Sequence, residues 1–274
     1  MTLITFFLLL LVSLLPHLTF MAHVGIVNGS VAKPHSRPYM VSVQLDGQHI
    51  CGGFLITEEF VLTAAHCWNG EENLTVVVGA HDLRQSMASD RIEVESYIRH
   101  PSYNSKFIWN DIMVFKLKER VTQNSSVGWI SISKKNEHVD ANTLCSVAGW
   151  GLLTNGTLSD CLMEANVYII SNTECKSKWG RHFSVSQMMC TRGHGGSCRY
   201  DSGGPLVCGD TAVGITSFGD PHLCNSPKHP NVYTNISAYR PWIDGVVVHT
   251  SEQAGTVLLE YLTAISQSDS RTLV

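Results

Sequence analysis

Two residues in this sequence could supply a nucleophile and its base. Ser202 lies in the run Asp-Ser-Gly-Gly-Pro, where glycines allow tight turning and let a substrate carbonyl approach backbone N–H groups. A serine hydroxyl is a weak nucleophile, so it needs a base of near-neutral pKa within hydrogen-bond reach. Histidine suits that role, and His66, in the run Thr-Ala-Ala-His-Cys, is the candidate base.

A third residue is needed to orient the imidazole, and Asp111 is the candidate. It stands between Asn110 and an apolar run, where a carboxylate is unusual unless it is paired. Taken singly, each of the three residues more often has a structural role. His66 could be a surface histidine, Ser202 could lie beside an ordinary glycine turn, and Asp111 could cap a strand edge. Together, in the order His66, Asp111, Ser202, they match a known triad order and predict acyl-transfer chemistry.

The elements that must position these residues read as short β-strands. Residues 41–45 alternate apolar and polar side chains, Asp46-Gly47 has hairpin-turn chemistry, and a second apolar run follows. Residues 74–78 and 112–117 have similar strand-like composition. Long stretches of helical period, which an α/β protein would need between its strands, are missing. The pattern therefore predicts an all-β fold.

One helix is expected near the end of the chain. Ser237 can cap it, Pro241 would then lie in its first turn, and Trp242 and Val246 would give it an apolar face. The expectation is a single C-terminal helix on a β protein.

The last segment, residues 250–274, changes composition to Ser, Thr and Gln around an apolar patch at 257–265. The patch is too short and too polar to span a membrane. A helix packed on the body, a partner-binding helix and disorder all remain open for this tail.

The beginning of the chain resembles a secretory signal. Residues 6–15 are apolar apart from Ser13, which is the length of a signal-peptide core. We expect a signal peptide at 1–22; a membrane anchor is the alternative, and Pro16 and His17 count against it.

Composition limits the compartment and the partners. Nine cysteines indicate an oxidising compartment, and their odd number predicts at least one unpaired thiol. A net charge of -4 lacks the excess of Lys and Arg that nucleic-acid binding needs. The thirteen histidines include no cluster with metal-ligand spacing, and we predict no metal and no cofactor. Glycosylation sequons occur at Asn28, Asn73, Asn124, Asn155 and Asn235.

From Ile26 to about Val248 the chain resembles the chymotrypsin-like serine peptidase family. The resemblance lies in the His66 and Ser202 motifs and in three further runs: Ile26-Val27-Asn28-Gly29, Gly149-Trp150-Gly151 and Ser217-Phe218-Gly219. It implies two antiparallel Greek-key β-barrels with a C-terminal helix and the catalytic cleft between the barrels. The peptidase domain would span residues 26–249.

The resemblance also implies roles for individual residues. His66, Asp111 and Ser202 would be catalytic, and the backbone N–H groups of Tyr200 and Ser202 would form the oxyanion hole. Cleavage before Ile26 would free an α-amino group that pairs with Asp201.

Residues 23–25 would then be a short propeptide. Its last residue, Gly25, argues against a trypsin-like activating enzyme. Granule relatives lose a dipeptide at this point, and Val24-Gly25 would be that dipeptide if the signal ended at His23.

The family pattern implies four disulfides and one free cysteine. The expected pairs are Cys51–Cys67, Cys145–Cys208, Cys175–Cys190 and Cys198–Cys224, each stabilising by about 2 to 4 kcal/mol. Cys161 is left over, either as an inert buried thiol or as a link to another chain.

Three positions depart from the family pattern or set its specificity. Tyr200 stands where the family has glycine, which predicts reduced or selective activity. Gly196, at the base of the specificity pocket, lacks the aspartate that selects Lys and Arg. Asn231 adds an amide to the pocket wall unless it points away, so neutral, medium-sized or aromatic P1 residues are favoured. Ser217, Phe218 and Gly219 would bind the substrate backbone.

Within the family the chain is most similar to granzymes and mast-cell proteases, and secondarily to complement factor D. We expect a monomeric secreted or granule serine endopeptidase acting on proteins or peptides, open to protein inhibitors, with neither nucleic acid nor membrane as partner. Its slightly acidic charge argues against storage on acidic proteoglycan. The alternative is a non-catalytic or weakly active homologue that serves as a binding or signalling protein.

Overall fold

The computed structural model of this chain describes residues 26–87 and 90–250. The expected signal peptide and propeptide lie outside these residues, as does the tail after Thr250. Fourteen strands carry the fold, and they are β1 (Ser30–Val31), β2 (Met40–Leu45), β3 (Gln48–Leu55), β4 (Phe60–Thr63), β5 (Thr75–Val78), β6 (Arg91–Arg99), β7 (Met113–Leu117), β8 (Ser131–Ile132), β9 (Leu144–Gly149), β10 (Met163–Ile170), β11 (Met188–Arg192), β12 (Pro205–Cys208), β13 (Thr211–Phe218) and β14 (Val232–Asn235).

The first barrel closes in the order β2-β3-β4-β7-β6-β5, with every neighbouring pair antiparallel. Its β2–β3 hairpin turns at Asp46 and Gly47, both at positive φ (50° and 81°). A two-residue turn with both residues at positive φ suits the right-handed strand twist, as the Asp-Gly sequence predicted.

The second barrel closes in the order β9-β10-β11-β14-β13-β12, since β9 pairs with both β10 and β12. Outside this ring, β1 pairs with β10 and β8 pairs in parallel with β13. The predicted architecture of two antiparallel β-barrels is confirmed.

Each barrel has its own apolar core. The first is built from side chains such as Val41, Phe54 and Phe115, and the second from others such as Ile26, Val147 and Leu206, all fully or almost fully buried. Burying such side chains contributes about 1.5 to 3 kcal/mol each, so the two cores supply the main driving force for the fold.

Among the residues that the structure describes, two α-helices accompany the barrels. Helix α1 spans Asn172–Trp179, with the Ser171 hydroxyl accepting from the Glu174 N–H as an N-cap. Helix α2 covers residues 236–250 of the described chain and packs Tyr239 and Ile243 on the first barrel. None of the helices in the described residues is long and apolar enough to cross a lipid bilayer.

The start of α2 differs from the prediction. The cap is Asn235, whose side chain accepts from the Ser237 N–H at 3.2 Å and from the Ser237 hydroxyl at 3.1 Å, so Ser237 lies inside the helix. Pro241 is therefore the sixth helical residue and not part of the first turn. Asn235 and Ser237 are both good caps, and strand β14 ends at Asn235, which decides between them.

The structure forms the four disulfides that the resemblance implied: Cys51–Cys67, Cys145–Cys208, Cys175–Cys190 and Cys198–Cys224. Cys161 is the free cysteine among the described residues and is half-buried. Burial raises the pKa of its thiol, with the neighbouring Asp82 carboxylate acting in the same direction, so the neutral thiol is favoured.

Candidate active site

His66 and Asp111 form a hydrogen-bonded pair on the side of the first barrel that faces the second. His66 lies in the single turn Ala65–Cys67 after β4, and Asp111 precedes β7, which pairs with β4. The His66 Nδ1 atom is 2.8 Å from Asp111 Oδ2, and the His66 backbone N–H donates to Asp111 Oδ1 at 3.0 Å. With Nδ1 bonded to Asp111, Nε2 is the ring nitrogen left for proton transfer.

Asp111 is held from both barrels. Its side chain is buried, and Oδ2 also accepts from the Ser217 hydroxyl of β13 at 2.5 Å. Its backbone oxygen accepts from the Thr234 hydroxyl of β14 at 2.8 Å. These hydrogen bonds offset the free-energy cost of burying the Asp111 carboxylate, and they fix its orientation toward His66.

The environment sets the proton affinity of His66. Burial lowers its pKa, but the charge of Asp111 and the hydrogen bond to it outweigh that effect, so the pKa lies above the ordinary histidine value of 6.5. A base whose pKa lies near neutrality can take a proton from a hydroxyl and return it within one reaction.

Ser202 lies on a loop that packs against the His66 segment. The Gly52 N–H donates to the Ser202 backbone oxygen at 2.8 Å, and Cys51 beside Gly52 is disulfide-bonded to Cys67 beside His66. Ser202 and Ser217 both line a cavity of about 160 Å³. The predicted nucleophile therefore faces the same cleft as the hydroxyl that holds Asp111.

The loop conformation depends on Gly203. Its φ is +85°, and a β-carbon there would lie 2.2 Å from Thr63 Oγ1 and 2.3 Å from the Gly52 oxygen. Only glycine satisfies both the backbone angle and the close approach of the two barrels.

Tyr200 occupies the third position of a four-residue turn, Cys198–Asp201, closed by the Asp201 N–H to the Cys198 oxygen at 3.2 Å. Its φ is +72°, which side-chain-bearing residues rarely adopt. Its backbone oxygen contacts His49 Nε2 at 3.0 Å, and its ring is 42% exposed. Its side chain thus stands at the surface, beside the loop of the nucleophile.

Asp201 is buried beneath this turn. Its Oδ1 accepts from the Gly151 N–H at 2.8 Å and its Oδ2 from the Cys198 N–H at 2.9 Å. Burial raises the pKa of Asp201 to about 7, although these two hydrogen bonds lower it. Both carboxylate oxygens are thus hydrogen-bonded, and Asp201 forms no ion pair among the residues that the structure describes.

The amino-terminal segment is docked on the same barrel. Ile26 is fully buried in the second core, and the Gly196 N–H donates to the Val27 oxygen at 3.1 Å. Asn28 Nδ2 donates to the His194 oxygen at 2.8 Å. Ile26 is thereby positioned within the barrel that contains Asp201.

Asn231 points into the cavity. Its Nδ2 donates to the Ser197 oxygen at 2.8 Å, and a β-carbon on Gly219 would lie 2.5 Å from its Oδ1. A β-carbon on Gly196 would lie 3.0 Å from Asn231 Nδ2 and 2.9 Å from the Oδ1 of Asn225. Two carboxamides therefore lie against Gly196, and any side chain at position 196 would collide with them.

The strand that lines the cavity ends at Phe218. Its ring packs edge-on against Trp179 of α1, with centroids 5.1 Å apart. Ser217 and Gly219, on either side, both line the cavity. The Ser217-Phe218-Gly219 segment thus forms one wall of the candidate substrate site.

Sequence reasoning missed His49 and Asn225. His49 is one of thirteen histidines, and its contact with Tyr200 joins positions 151 residues apart, so no local pattern distinguishes it. Asn225 has φ 59°, and the disulfide of its neighbour Cys224 with Cys198 brings its amide beside Gly196.

Among the described residues, the His66 ring and the sulfurs of Cys51 and Cys67 lie within 4.8 Å of one another, close enough to suggest a metal site. The two sulfurs form a disulfide, so neither is a thiolate ligand.

Comparison with known proteins agrees with this geometry. The sequence model of the trypsin family matches residues 26–243. Human cathepsin G is 39% identical over 225 residues, covering 80% of this chain and 86% of that protein. Rat granzyme B is 40% identical over 227 residues, covering 80% and 89%, and mouse mast cell protease 8 is 38% identical over 242 residues, covering 86% and 95%.

A solved structure shares the fold. Neuropsin, a serine protease expressed in the limbic system of mouse brain, superposes with a TM-score of 0.74 at 31% identity, covering 81% of this chain and 99% of the neuropsin chain. With a family match over most of its length and relatives near 40% identity, this chain belongs to the trypsin family of serine endopeptidases.

Proposed function

We propose that this protein hydrolyses peptide bonds through an acyl-enzyme formed on Ser202, with His66 as general base and Asp111 as the residue that orients it. The observation that carries the proposal is the 2.8 Å contact of His66 with the buried Asp111, which also accepts from Ser217, a residue that lines the same cavity as Ser202. A buried carboxylate held by donors from both barrels suits a group that must stay ionised and fixed during proton transfer.

In the first half of the reaction, the Ser202 hydroxyl oxygen bonds to the carbonyl carbon while its proton passes to His66 Nε2. The Nδ1–H of His66 stays bonded to Asp111 Oδ2, which stabilises the imidazolium. The carbonyl oxygen becomes an oxyanion and accepts from the N–H groups of Tyr200 and Ser202. His66 then returns the proton to the amine nitrogen as the carbon–nitrogen bond breaks.

In the second half, water attacks the acyl-enzyme. His66 takes a proton from the water and the same two N–H groups hold the new oxyanion. Collapse releases the carboxylic acid and returns the proton to Ser202, so the enzyme is unchanged.

Activation would follow cleavage before Ile26. The buried Ile26 and the buried, uncompensated carboxyl of Asp201 support this step. A new α-ammonium group at Ile26 would pair with Asp201 and hold the carboxylate ionised, which would secure the turn that carries Tyr200.

The pocket supports a P1 residue that is neutral, either medium-sized or aromatic. Gly196 supplies no carboxylate, and the amide of Asn231 takes up space between Gly196 and Gly219. Asp220, which also lines the cavity, has its carboxylate hydrogen-bonded to His229 and to the N–H groups of His222 and Leu223. With that carboxylate engaged and the Asn231 amide in the pocket, burial of a Lys or Arg side chain would be costly.

The substrates would be proteins or peptides, with protein inhibitors as further ligands of the same cleft. The predicted signal at 1–22 and the disulfides support secretion or storage in a secretory granule, with the chain acting as a monomer.

The test is incubation of the chain beginning at Ile26 with a randomised peptide library, followed by mass spectrometry of the cleaved bonds. The expected result is cleavage after neutral residues that a Ser202→Ala chain does not perform. Cleavage mainly after Lys or Arg would contradict the pocket assignment. No cleavage by the folded chain would favour a binding or signalling role for the same fold.

A further inference from the structure

The turn Cys198–Asp201 carries the proposed oxyanion donor, and its third residue is under backbone strain. Tyr200 has φ +72°, the value that a type II turn requires at its third residue and that normally calls for glycine. A side chain in this left-handed region costs free energy because its β-carbon crowds the following carbonyl oxygen.

A type I turn would relieve the strain without changing the rest of the loop. Types I and II share the closing hydrogen bond, here from Asp201 N–H to the Cys198 oxygen, and differ by a half-turn of the central peptide. That peptide joins Arg199 to Tyr200, so its rotation brings the φ of Tyr200 to a negative value. The same rotation turns the Tyr200 N–H away from the side on which the oxyanion would form.

The peptide after Tyr200 is held firmly. Its oxygen contacts His49 Nε2 at 3.0 Å, and because a carbonyl only accepts, Nε2 must carry the proton. His49 Nδ1 is therefore an acceptor, and it receives the Ser42 hydroxyl at 2.8 Å. Gln44 Nε2 donates to Ser42 at 3.0 Å, and Arg91 donates to Gln44 Oε1 at 2.6 Å.

This chain of donors runs in one direction through the buried side chains of β2 and β3. Ser42, Gln44 and His49 are each less than a tenth exposed, and burial lowers the pKa of His49 to about 4, so its ring is neutral at pH 7. The other end of the turn is fixed by the Cys198–Cys224 disulfide and by the Cys198 N–H bond to Asp201.

One bond opposes rotation of the central peptide itself. The Leu152 N–H donates to the Arg199 oxygen at 2.9 Å, and a half-turn would break this bond. The net contribution of one such hydrogen bond is of the same size as the cost of one side chain in the left-handed region. The two orientations of the peptide are therefore close in free energy.

We propose that the Arg199–Tyr200 peptide is a two-position element, and that a carbonyl oxygen developing negative charge on Ser202 selects the donating position. This inference rests on the proposed function, since it concerns the oxyanion donor of that reaction. The fraction of molecules that present the donor scales the rate of acylation.

Four chains beginning at Ile26 test the proposal: wild type, Tyr200→Gly, Tyr200→Asn and Tyr200→Ala. The measurement is the second-order rate constant for labelling by a fluorophosphonate probe, with Ser202→Ala as the blank. Glycine removes the strain and raises the fraction of molecules in the donating position, so labelling should be faster than wild type, by about twofold if the two positions are equally populated in wild type. Asparagine tolerates positive φ and should fall between them, whereas alanine keeps the β-carbon and should stay close to wild type.

The alanine variant separates strain from bulk. If the tyrosine ring merely narrowed the cleft, alanine and glycine would accelerate labelling equally, and that result would overturn the inference while leaving the proposed function intact. Absence of Ser202-dependent labelling in every chain would instead overturn the proposed function.

A second measurement uses the wild-type chain alone. Selective labelling with ¹³C-carbonyl arginine and ¹⁵N tyrosine isolates the Arg199–Tyr200 amide, since Arg199 is the arginine that directly precedes a tyrosine. Exchange on the microsecond-to-millisecond scale is expected in the free protein and should disappear in the fluorophosphonate adduct. A single unbroadened signal, unchanged by the adduct and with no gain in the glycine variant, would show a fixed donor and overturn the inference.

Discussion

At the residue scale, catalysis depends on how Asp111 sets the pKa and the orientation of the His66 imidazole. The carboxylate is buried and has three donors within 3.0 Å at its side-chain oxygens, which hold it in place beside the imidazole. Residue type and order predicted His66, Asp111 and Ser202 as a triad, and the structure brings the first two into contact. The Ser217 hydroxyl that holds Asp111 was assigned only to substrate binding, because its contact spans 106 residues and depends on how the barrels face each other.

Asp111→Asn should remove the charge that raises the pKa of His66 and replace one acceptor oxygen by an NH₂ donor. The loss in kcat is expected to be on the order of 10⁴-fold, as for the same change in another serine protease triad. In the wild type, activity should fall as pH falls through a His66 pKa above 6.5, because the protonated ring cannot act as base. The pH–rate profile of the variant should have its acidic limb shifted to lower pH; an unmoved limb would contradict the assignment.

The pocket yields a second expectation at this scale. Gly196→Asp alone should not create Lys or Arg specificity, because its β-carbon would meet Asn225 and Asn231 within about 3 Å. The triple change Gly196→Asp with Asn225→Gly and Asn231→Gly should create it, because it removes both carboxamides. The P1 preference of each chain in the peptide library is the measurement, and basic specificity in the single variant would contradict the geometry.

At the scale of elements, the site consists of turns held between strands of the two barrels. The Asp46-Gly47 hairpin was predictable, since its conformation is local. The burial of Ser42 and Gln44 was not, because their alternation in β2 resembles that of a strand with one face in water. Both side chains are instead covered and hydrogen-bonded, in a network that ends at Tyr200 of the other barrel. The predicted cap of α2, Ser237, was wrong for a related reason. Strand β14 ends at Asn235, so Asn235 caps the helix and Ser237 lies inside it.

Gly203→Ala should separate the two barrels at the nucleophile. Its β-carbon would lie 2.2 Å from Thr63 Oγ1 and 2.3 Å from the Gly52 oxygen, so backbone must move. We expect a loss of about 1 to 3 kcal/mol in the free energy of unfolding, beyond the cost of positive φ, and slower labelling of Ser202. Urea unfolding measures the first quantity.

Gly209→Ala is the matched control, since Gly209 also has positive φ (+59°) but no atom within 4 Å of its β-carbon position. In this variant the free energy of unfolding should decrease only by the cost of backbone strain at positive φ, and the rate of Ser202 labelling should be unchanged. Equal losses in the two variants would show that crowding at Gly203 is unimportant.

At the scale of the whole molecule, the barrels meet along the cleft and the amino-terminal segment is inserted in the second. The fold class followed from strand-like runs and turn signals, and the resemblance supplied the two-barrel topology. The two carboxamides beside Gly196 were only partly foreseen. Asn231 was expected on the pocket wall, whereas Asn225 is brought beside Gly196 by the Cys198–Cys224 disulfide, whose geometry a single sequence does not contain.

The buried Asp201 should make the uncleaved chain less stable as pH rises. Its pKa is about 7 in the folded state against 3.8 unfolded, so between these values the folded state holds a proton that the unfolded state has lost. The free energy of unfolding should therefore fall from about pH 4 to pH 7 and level off above. Asp201→Asn in the uncleaved chain should lack this contribution, which thermal unfolding at a series of pH values can measure.

In the chain beginning at Ile26, the free ammonium group should pair with Asp201. This pairing should remove most of the decrease in the free energy of unfolding between about pH 4 and pH 7. If cleaved and uncleaved chains show the same pH dependence, the proposed Ile26–Asp201 pairing is wrong.

The central claim is that Ser202 is a working nucleophile, and fluorophosphonate labelling of the purified chain beginning at Ile26 tests it without a choice of substrate. The account predicts covalent modification on Ser202, located by mass spectrometry, that is lost in Ser202→Ala and strongly slowed in His66→Ala. A folded chain that stays unlabelled, or that is labelled equally well without Ser202 or His66, would contradict it.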